Sequence, residues 1–183
     1  MIIFVDKGVF KGGSYLIKAI LFDWHGVLVE SDKNNIVREH ILYNKLKNNT
    51  ASKDEIIEIA KSFKKYEPLW EVLPELKKYF KMCVVNNGPK STCEYWDQYY
   101  GYSEFMDFVN SEAEGVEKPA PEIYKIACER LGVNTDEVIY MDDNCGFPEE
   151  TERLDMKFIH WDSTESGFRK FKKYLLENMN IEL

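Results

Sequence analysis

Four short stretches, far apart in the chain, each end an apolar run in polar groups able to do chemistry. They are Phe22-Asp23-Trp24-His25-Gly26-Val27-Leu28, Val84-Val85-Asn86-Asn87-Gly88, Glu117-Lys118-Pro119 and Tyr140-Met141-Asp142-Asp143. In alternating α/β chains, groups that follow buried strands meet beyond the carboxyl ends of the sheet, so one crevice is expected to gather all four. Asp23 at a strand end is a carboxylate placed to attack phosphorus and form an acyl phosphate, dividing one displacement into two easier steps. Asp142 and Asp143 are expected on a neighbouring strand. Three carboxylates in one crevice resist ionising together unless a divalent cation neutralises them, and oxygen ligands beside a phosphate suit Mg²⁺. Lys118 adds a positive charge for a phosphoryl group in transfer, while Asn86, Asn87 and the backbone amides around Gly88 can donate hydrogen bonds to its oxygens. Each piece alone has a plainer reading: Asp23 as a turn cap, Lys118 as an exposed loop lysine, Asp142-Asp143-Asn144 as a turn. Four such coincidences in one chain are much less expected than one site.

The elements that must position these groups follow from periodicity and punctuation. Short β segments are expected at Ile2 to Val5 and Tyr15 to Phe22, separated by the turn Lys11-Gly12-Gly13-Ser14. Asp32 to Lys47 is expected to be helical on the spacing of Ile36, His40, Ile41 and Leu46. A second helix is expected to start at a capping box, Ser52-Lys53-Asp54-Glu55, and to run through Tyr66. Further helices are expected over Leu69 to Phe80, Lys90 to Tyr99, Ala120 to Leu131, Pro148 to Leu154 and Ser163 to Met179. Strands are expected at Met82 to Asn86, near Phe108-Val109-Asn110, at Val138 to Met141 and at Lys157 to His160. Gly132 stands where a helix end needs positive φ. This alternation argues for a mostly parallel sheet covered on both faces. The two helices after the first strand look like a small inserted cap.

Composition narrows the class. A chain of 183 residues suits one globular domain with a small insertion, and 44% hydrophobic and 14% aromatic residues suit a packed core. A net charge of -8 disfavours nucleic acid as a partner, so Lys61-Ser62-Phe63-Lys64-Lys65 and Arg169-Lys170-Phe171-Lys172-Lys173 read as solvated helix faces. No apolar run approaches the length of a bilayer span, and Met1-Ile2-Ile3-Phe4-Val5-Asp6-Lys7 is charged too early for a signal peptide. No membrane partner and a cytoplasmic location are the expectations. Cys83, Cys93, Cys128 and Cys145 show no zinc spacing with His25, His40 and His160. Reduced buried thiols are expected at Cys83 and Cys128, and Cys145 beside Asp143 is the candidate reactive thiol.

Taken together, the pattern Phe22-Asp23-X-X-Gly26-Val27-Leu28, the run ending in Asn86-Asn87-Gly88, Glu117-Lys118-Pro119-Ala120-Pro121-Glu122-Ile123-Tyr124 and the run ending in Asp142-Asp143 resembles the haloacid dehalogenase superfamily. Its members are Asp-nucleophile hydrolases, mostly magnesium-dependent phosphatases, and the resemblance spans Lys18 to Trp161. The last two motifs are similar to the subgroup whose cap follows the first motif, as in the phosphatase domain of soluble epoxide hydrolase. The resemblance implies a three-layer α/β/α Rossmann-like parallel sheet, with residues 1–31 and 67–183 as core and 32–66 as a small helical cap. It also implies a phosphatase acting on a small-molecule phosphate monoester through an aspartyl phosphate on Asp23, with Asp23, His25 and Lys118 as catalytic groups. The Mg²⁺ ligands would be Asp23, the His25 main-chain carbonyl, Asp143 directly and Asp142 through water.

Two positions depart from the family pattern. His25 stands where the family has a second aspartate, and its imidazole is expected to take over acid and base duty, as a better base than acid beside a cation. Leaving groups of low pKa should then be hydrolysed best. Asn86 replaces the usual Ser or Thr with a larger amide that donates from a different point; Asn86→Ser is expected to raise activity. Trp24 is expected to be packing. The short cap, with Tyr66 and Trp70 near its return hinge, is expected to admit larger leaving groups. The two departures keep a noncatalytic binding protein in play. A 2-haloacid dehalogenase is the third alternative, disfavoured because Asp142 and Asp143 would repel a carboxylate substrate.

Overall fold

The computed structural model describes residues 16–146 and 148–183. The segment Ile2 to Val5, the turn Lys11 to Ser14 and Tyr15 lie outside the described residues.

The centre is β1 (Ala19–Phe22), four residues that are all fully buried. It pairs in parallel with β4 (Lys81–Asn86) on one side and with β6 (Val138–Asp142) on the other. Beyond these lie β5 (Asp107–Asn110) and β7 (Lys157–His160), also parallel, giving the order β5-β4-β1-β6-β7. Period-2 alternation divides the side chains between two cores. Ile20, Phe22, Met82, Val84, Ile139 and Met141 join one, with α3 (Glu67–Leu76), α4 (Cys93–Tyr100) and α8 (Glu165–Met179). Ala19, Leu21, Cys83, Val85, Val138 and Tyr140 join the other, against α6 (Pro121–Leu131). Three layers result, a Rossmann-like α/β fold with a wholly parallel sheet. Cys83 and Cys128 are buried free thiols, and Cys145 is exposed.

Between Asp23 and α3 the chain leaves the sheet and returns. β2 (Val29–Ser31) leads out and β3 (Phe63–Lys65) leads back, paired antiparallel. The ribbon carries α1 (Ile36–Lys47) and α2 (Lys53–Ser62). Leu42, Leu46 and Ile59 form the contact between those helices, and Arg38–Glu58 and Lys45–Glu55 pair across their rims. The root of the ribbon is tied down by Trp70 Nε1 donating to Leu28 O at 2.7 Å and Tyr100 OH donating to Phe63 O at 2.9 Å.

Several boundaries differ from the sequence expectations, each for a local reason. Among the described residues the first strand starts at Ala19, and residues 16–18, expected within it, lie before it. α1 starts at Ile36 rather than Asp32, because Asp32 accepts from Asn34 N at 3.0 Å and pairs with Lys64, closing a turn instead. Its buried stripe is Glu39, Leu42 and Leu46, whereas Ile36 and Ile41, expected inside, are about half exposed. α2 keeps its expected capping box at Ser52 but ends at Ser62, since residues 63–65 are taken by the ribbon. α3 begins at Glu67 and stops at Leu76, with Pro68 in its first turn, where no helical N–H is lost. Residues Lys90–Thr92 form a 3₁₀ turn before α4. A short helix that periodicity missed, α5 (Ser111–Glu114), is capped by the Asn110 side chain. α7 is Pro148–Arg153.

Candidate active site

β1 delivers Asp23 to the carboxyl edge of the sheet, where Asp23 N donates to Met141 O at 2.8 Å and continues the ladder with β6. That register puts the β1 and β6 ends side by side. Asp23, Asp142 and Asp143 each bring a carboxylate oxygen to within 4.8 Å of the others. Asp23 Oδ1 accepts from Trp24 N at 2.7 Å and from Lys118 Nζ at 2.8 Å, so Oδ2 is the oxygen with no protein partner among the described residues. Burial pushes the Asp23 carboxyl up; the Lys118 ammonium pulls it down and the Asp142 charge raises it again, leaving it at about 6.

Lys118 is the electrostatic centre. Its ammonium, 3% exposed, lies between Asp23 and Asp142 Oδ2, the latter at 2.9 Å. Burial opposes its charge, yet the two carboxylates more than offset this and its pKa is raised. The loop that holds it is fixed by Asn87, whose Oδ1 accepts from Lys118 N at 2.8 Å and whose Nδ2 donates to Lys118 O at 2.9 Å. A cis peptide bond joins Lys118 to Pro119.

The two β6 carboxylates are in different positions. Asp142 is fully buried, and both its oxygens already accept: Oδ1 from Asn144 N at 2.8 Å, Oδ2 from Lys118 and from the Tyr140 hydroxyl. Asp143 is exposed and packs on Gly26. A Cβ on that glycine would fall 2.3 Å from Asp143 Oδ2, and its φ of +87° is one that side-chain-bearing residues rarely adopt. Burial and the Asp142 charge raise the Asp143 pKa, against a smaller pull from His25 and Lys118.

His25 is exposed beside this group. Its Nε2 lies 2.9 Å from Ser31 Oγ, and its ring meets Phe63 edge-on with centroids 5.3 Å apart. Asn86 is 5% exposed, and its Nδ2 is buried with no hydrogen-bond partner. The other two expected phosphate donors are turned inward. Asn87 holds the Lys118 backbone, as above, and Gly88 N donates to Ser111 Oγ at 3.1 Å. Trp24 is fully buried and stacked on Trp96 at 5.0 Å, and its Nε1 makes no hydrogen bond among the described residues.

Sequence reasoning overlooked Tyr140, Ser31 and Ser111. Tyr140 was within reach of the alternation rule, because residues two apart on a strand share a face. Burial and the neighbouring charges of Asp142 and Asp23 push its hydroxyl well above the usual range, so it stays a donor. Ser31 and Ser111 had no local signal; only the ribbon and α5 bring them close.

The donor set suits a divalent cation. It offers hard carboxylate oxygens only, and one lysine cannot balance three carboxylates.

A parallel sheet whose first strand ends in a carboxylate, with a clamped lysine and an acidic pair one strand away, is the arrangement expected of a hydrolase of the haloacid dehalogenase type. The family model for haloacid dehalogenase-like hydrolases matches residues 38–145, more than half of the chain, and the protein belongs to this family. Solved structures share the fold at low identity. A predicted HAD-like family hydrolase from Porphyromonas gingivalis superimposes with a TM-score of 0.71 at 14% identity, covering 88% of this chain and 98% of its own. A HAD-superfamily hydrolase from Ehrlichia chaffeensis gives 0.66 at 18%, covering 90% and 98%. A HAD family enzyme from Bacteroides thetaiotaomicron, in complex with magnesium and inorganic phosphate, gives 0.66 at 15%, covering 81% and 96%. No curated protein sequence matches this chain.

Proposed function

We propose that this protein is a magnesium-dependent phosphatase that hydrolyses a small-molecule phosphate monoester through an aspartyl phosphate on Asp23. The observation that carries the reading is the Lys118 ammonium held between Asp23 and Asp142, with a third carboxylate, Asp143, within 4.8 Å. Asp23 Oδ2, free of protein donors among the described residues, is the attacking atom. Lys118 holds the carboxylate in place through Oδ1 and balances part of the charge that gathers as phosphorus is approached. Asn86, with its unpartnered buried Nδ2, donates to a phosphoryl oxygen. His25 takes and returns the proton through Nδ1, while Ser31 orients the ring at Nε2.

Asp143 is the carboxylate open to Mg²⁺, and Asp23 would be its second carboxylate ligand, through the oxygen that does not attack. Asp142, both of whose oxygens are engaged, would reach it through water, and the His25 main-chain carbonyl would complete the protein ligands. Bound there, the ion supplies Lewis-acid polarisation of the phosphoryl group and neutralises the acidic cluster. Magnesium and phosphate in the Bacteroides thetaiotaomicron enzyme support the choice of ion and substrate. The two-helix insert on its ribbon serves as the cap. No described helix is long and apolar enough to cross a membrane. The net charge of -8 supports an enzyme acting on a small ester rather than on nucleic acid, and a cytoplasmic location with no membrane partner is part of the proposal.

The test is release of 4-nitrophenol from 4-nitrophenyl phosphate with and without Mg²⁺, using Asp23→Asn as control. Magnesium-dependent release, lost at least 1,000-fold (on the order of the covalent-catalysis contribution) in the variant, is expected. Metal-independent dehalogenation of a 2-haloacid, or no turnover of any ester, would replace the reading by a dehalogenase or a noncatalytic binding protein.

A further inference from the structure

A cavity of about 390 Å³ opens from His25 and Asn86 and runs between the sheet edge and the inserted helices. Its size is that of a small-molecule site. Trp24, Trp96, Phe63 and Tyr43 contribute aromatic walls, with Ile36 and Ile59 beside them. Into this apolar space α1 brings one acid, Glu39. The residue is 5% exposed, and its Oε1 is buried and accepts no hydrogen bond. On the same helix Arg38 is committed to Glu58 and Lys45 to Glu55, while His40 lines the cavity beside Glu39.

A buried carboxylate oxygen without a donor is costly, and natural proteins carry few such atoms. Helix periodicity makes the placement more pointed. Glu39 occupies the inward stripe with Leu42 and Leu46, while Ile36 and Val37 are left exposed on the same helix. Stability alone favours the opposite choice. What completes such an acid is a hydrogen-bond donor, and aromatic faces add a preference for a cationic one through their quadrupoles. The carboxylate and the ring faces are separate features that a protonated amine satisfies together, and the unpartnered Nε1 donors of Trp24 and Trp96 leave room for an acceptor on the same body.

We propose that this cavity takes the leaving group of the phosphate ester and that the leaving group has a compact apolar or aromatic body bearing a protonated amine, which Glu39 receives. The inference rests on the phosphatase reading for the ester, and on the cavity alone for the amine. Glu39 is then the specificity-determining residue on the cap side, with Asn86 at the mouth meeting the phosphoryl end. An anionic leaving group is turned away by the same carboxylate.

The experiment compares two esters that differ by one ammonium group, 4-(aminomethyl)phenyl phosphate and 4-methylphenyl phosphate, in wild-type protein and Glu39→Gln, with Mg²⁺ present. The wild type is expected to favour the amine by about 10-fold or more in kcat/KM, as a charge-assisted contact would give, and Glu39→Gln to bring the ratio near unity. In parallel, binding of benzylammonium by calorimetry, without Mg²⁺, is expected to be saturable in the wild type and at least about 5-fold weaker in Glu39→Gln, with benzyl alcohol binding both alike. Benzylammonium that fails to bind, or binds both proteins equally, overturns the inference, as does a wild-type preference for the methyl ester. If neither ester is hydrolysed but the benzylammonium difference holds, the phosphatase reading falls and the amine site stands.

Discussion

Gly26 shows how much of the site depends on an atom that is missing. With φ of +87° and the Asp143 carboxylate where a Cβ would be, this position needs glycine twice over. Gly26→Ala is expected to push Asp143 out of the acidic cluster, to destabilise the fold by about 1–3 kcal/mol for the strained backbone, and to weaken Mg²⁺ binding about 10-fold or more. Calorimetric Mg²⁺ titration and denaturant unfolding check the two effects separately. The glycine was visible in the sequence as part of a motif. Its reason was not, because Asp143 is more than a hundred residues away and reaches it only through the β1–β6 register.

At the scale of elements, the site is a set of strand ends joined by side-chain latches. Asn87, at the end of β4, makes two hydrogen bonds to the backbone of Lys118, 31 residues on, and so sets where the ammonium meets Asp23. Asn87→Ala is expected to cost about 1–3 kcal/mol of stability and to lower kcat about 10-fold with a smaller change in KM. Lys118 would still be charged but no longer placed. Urea unfolding and steady-state kinetics on an aryl phosphate check this. Strand positions were legible because buried parallel strands are continuous apolar runs such as Cys83-Val84-Val85. The α1 stripe was misread because its periodicity assumed that every inward position is apolar, and Glu39 breaks that assumption.

For the molecule as a whole, the acidic cluster opposes folding when no cation is bound. The folded chain holds the Asp23 proton up to about pH 6, whereas the ordinary carboxyl releases it near 3.8. Its contribution to stability is therefore complete below pH 3.8 and lost as the pH rises through about 6. In chelator, Asp23→Asn should gain on the wild type as the pH is raised from 4 to 7, by on the order of 5 °C in Tm. Excess Mg²⁺ should shrink the gap by stabilising the wild type. Thermal melts at fixed ionic strength across that range give the answer. A difference that stays constant with pH would mean the cluster does not strain the fold.

The amino-acid sequence alone determined the parallel α/β architecture, the four motif regions and the identity of the acidic and basic groups, since strand hydrophobicity and strand-end polarity are local properties of the chain. Tertiary structure decided the rest. It put Lys118 between two carboxylates, spent Asn87 and Gly88 on internal bonds, left Asn86 and Glu39 unpartnered at one cavity, and engaged both oxygens of Asp142. Hydrogen-bond partners and burial depend on which distant segments the sheet register brings together, and no local pattern of residues encodes that.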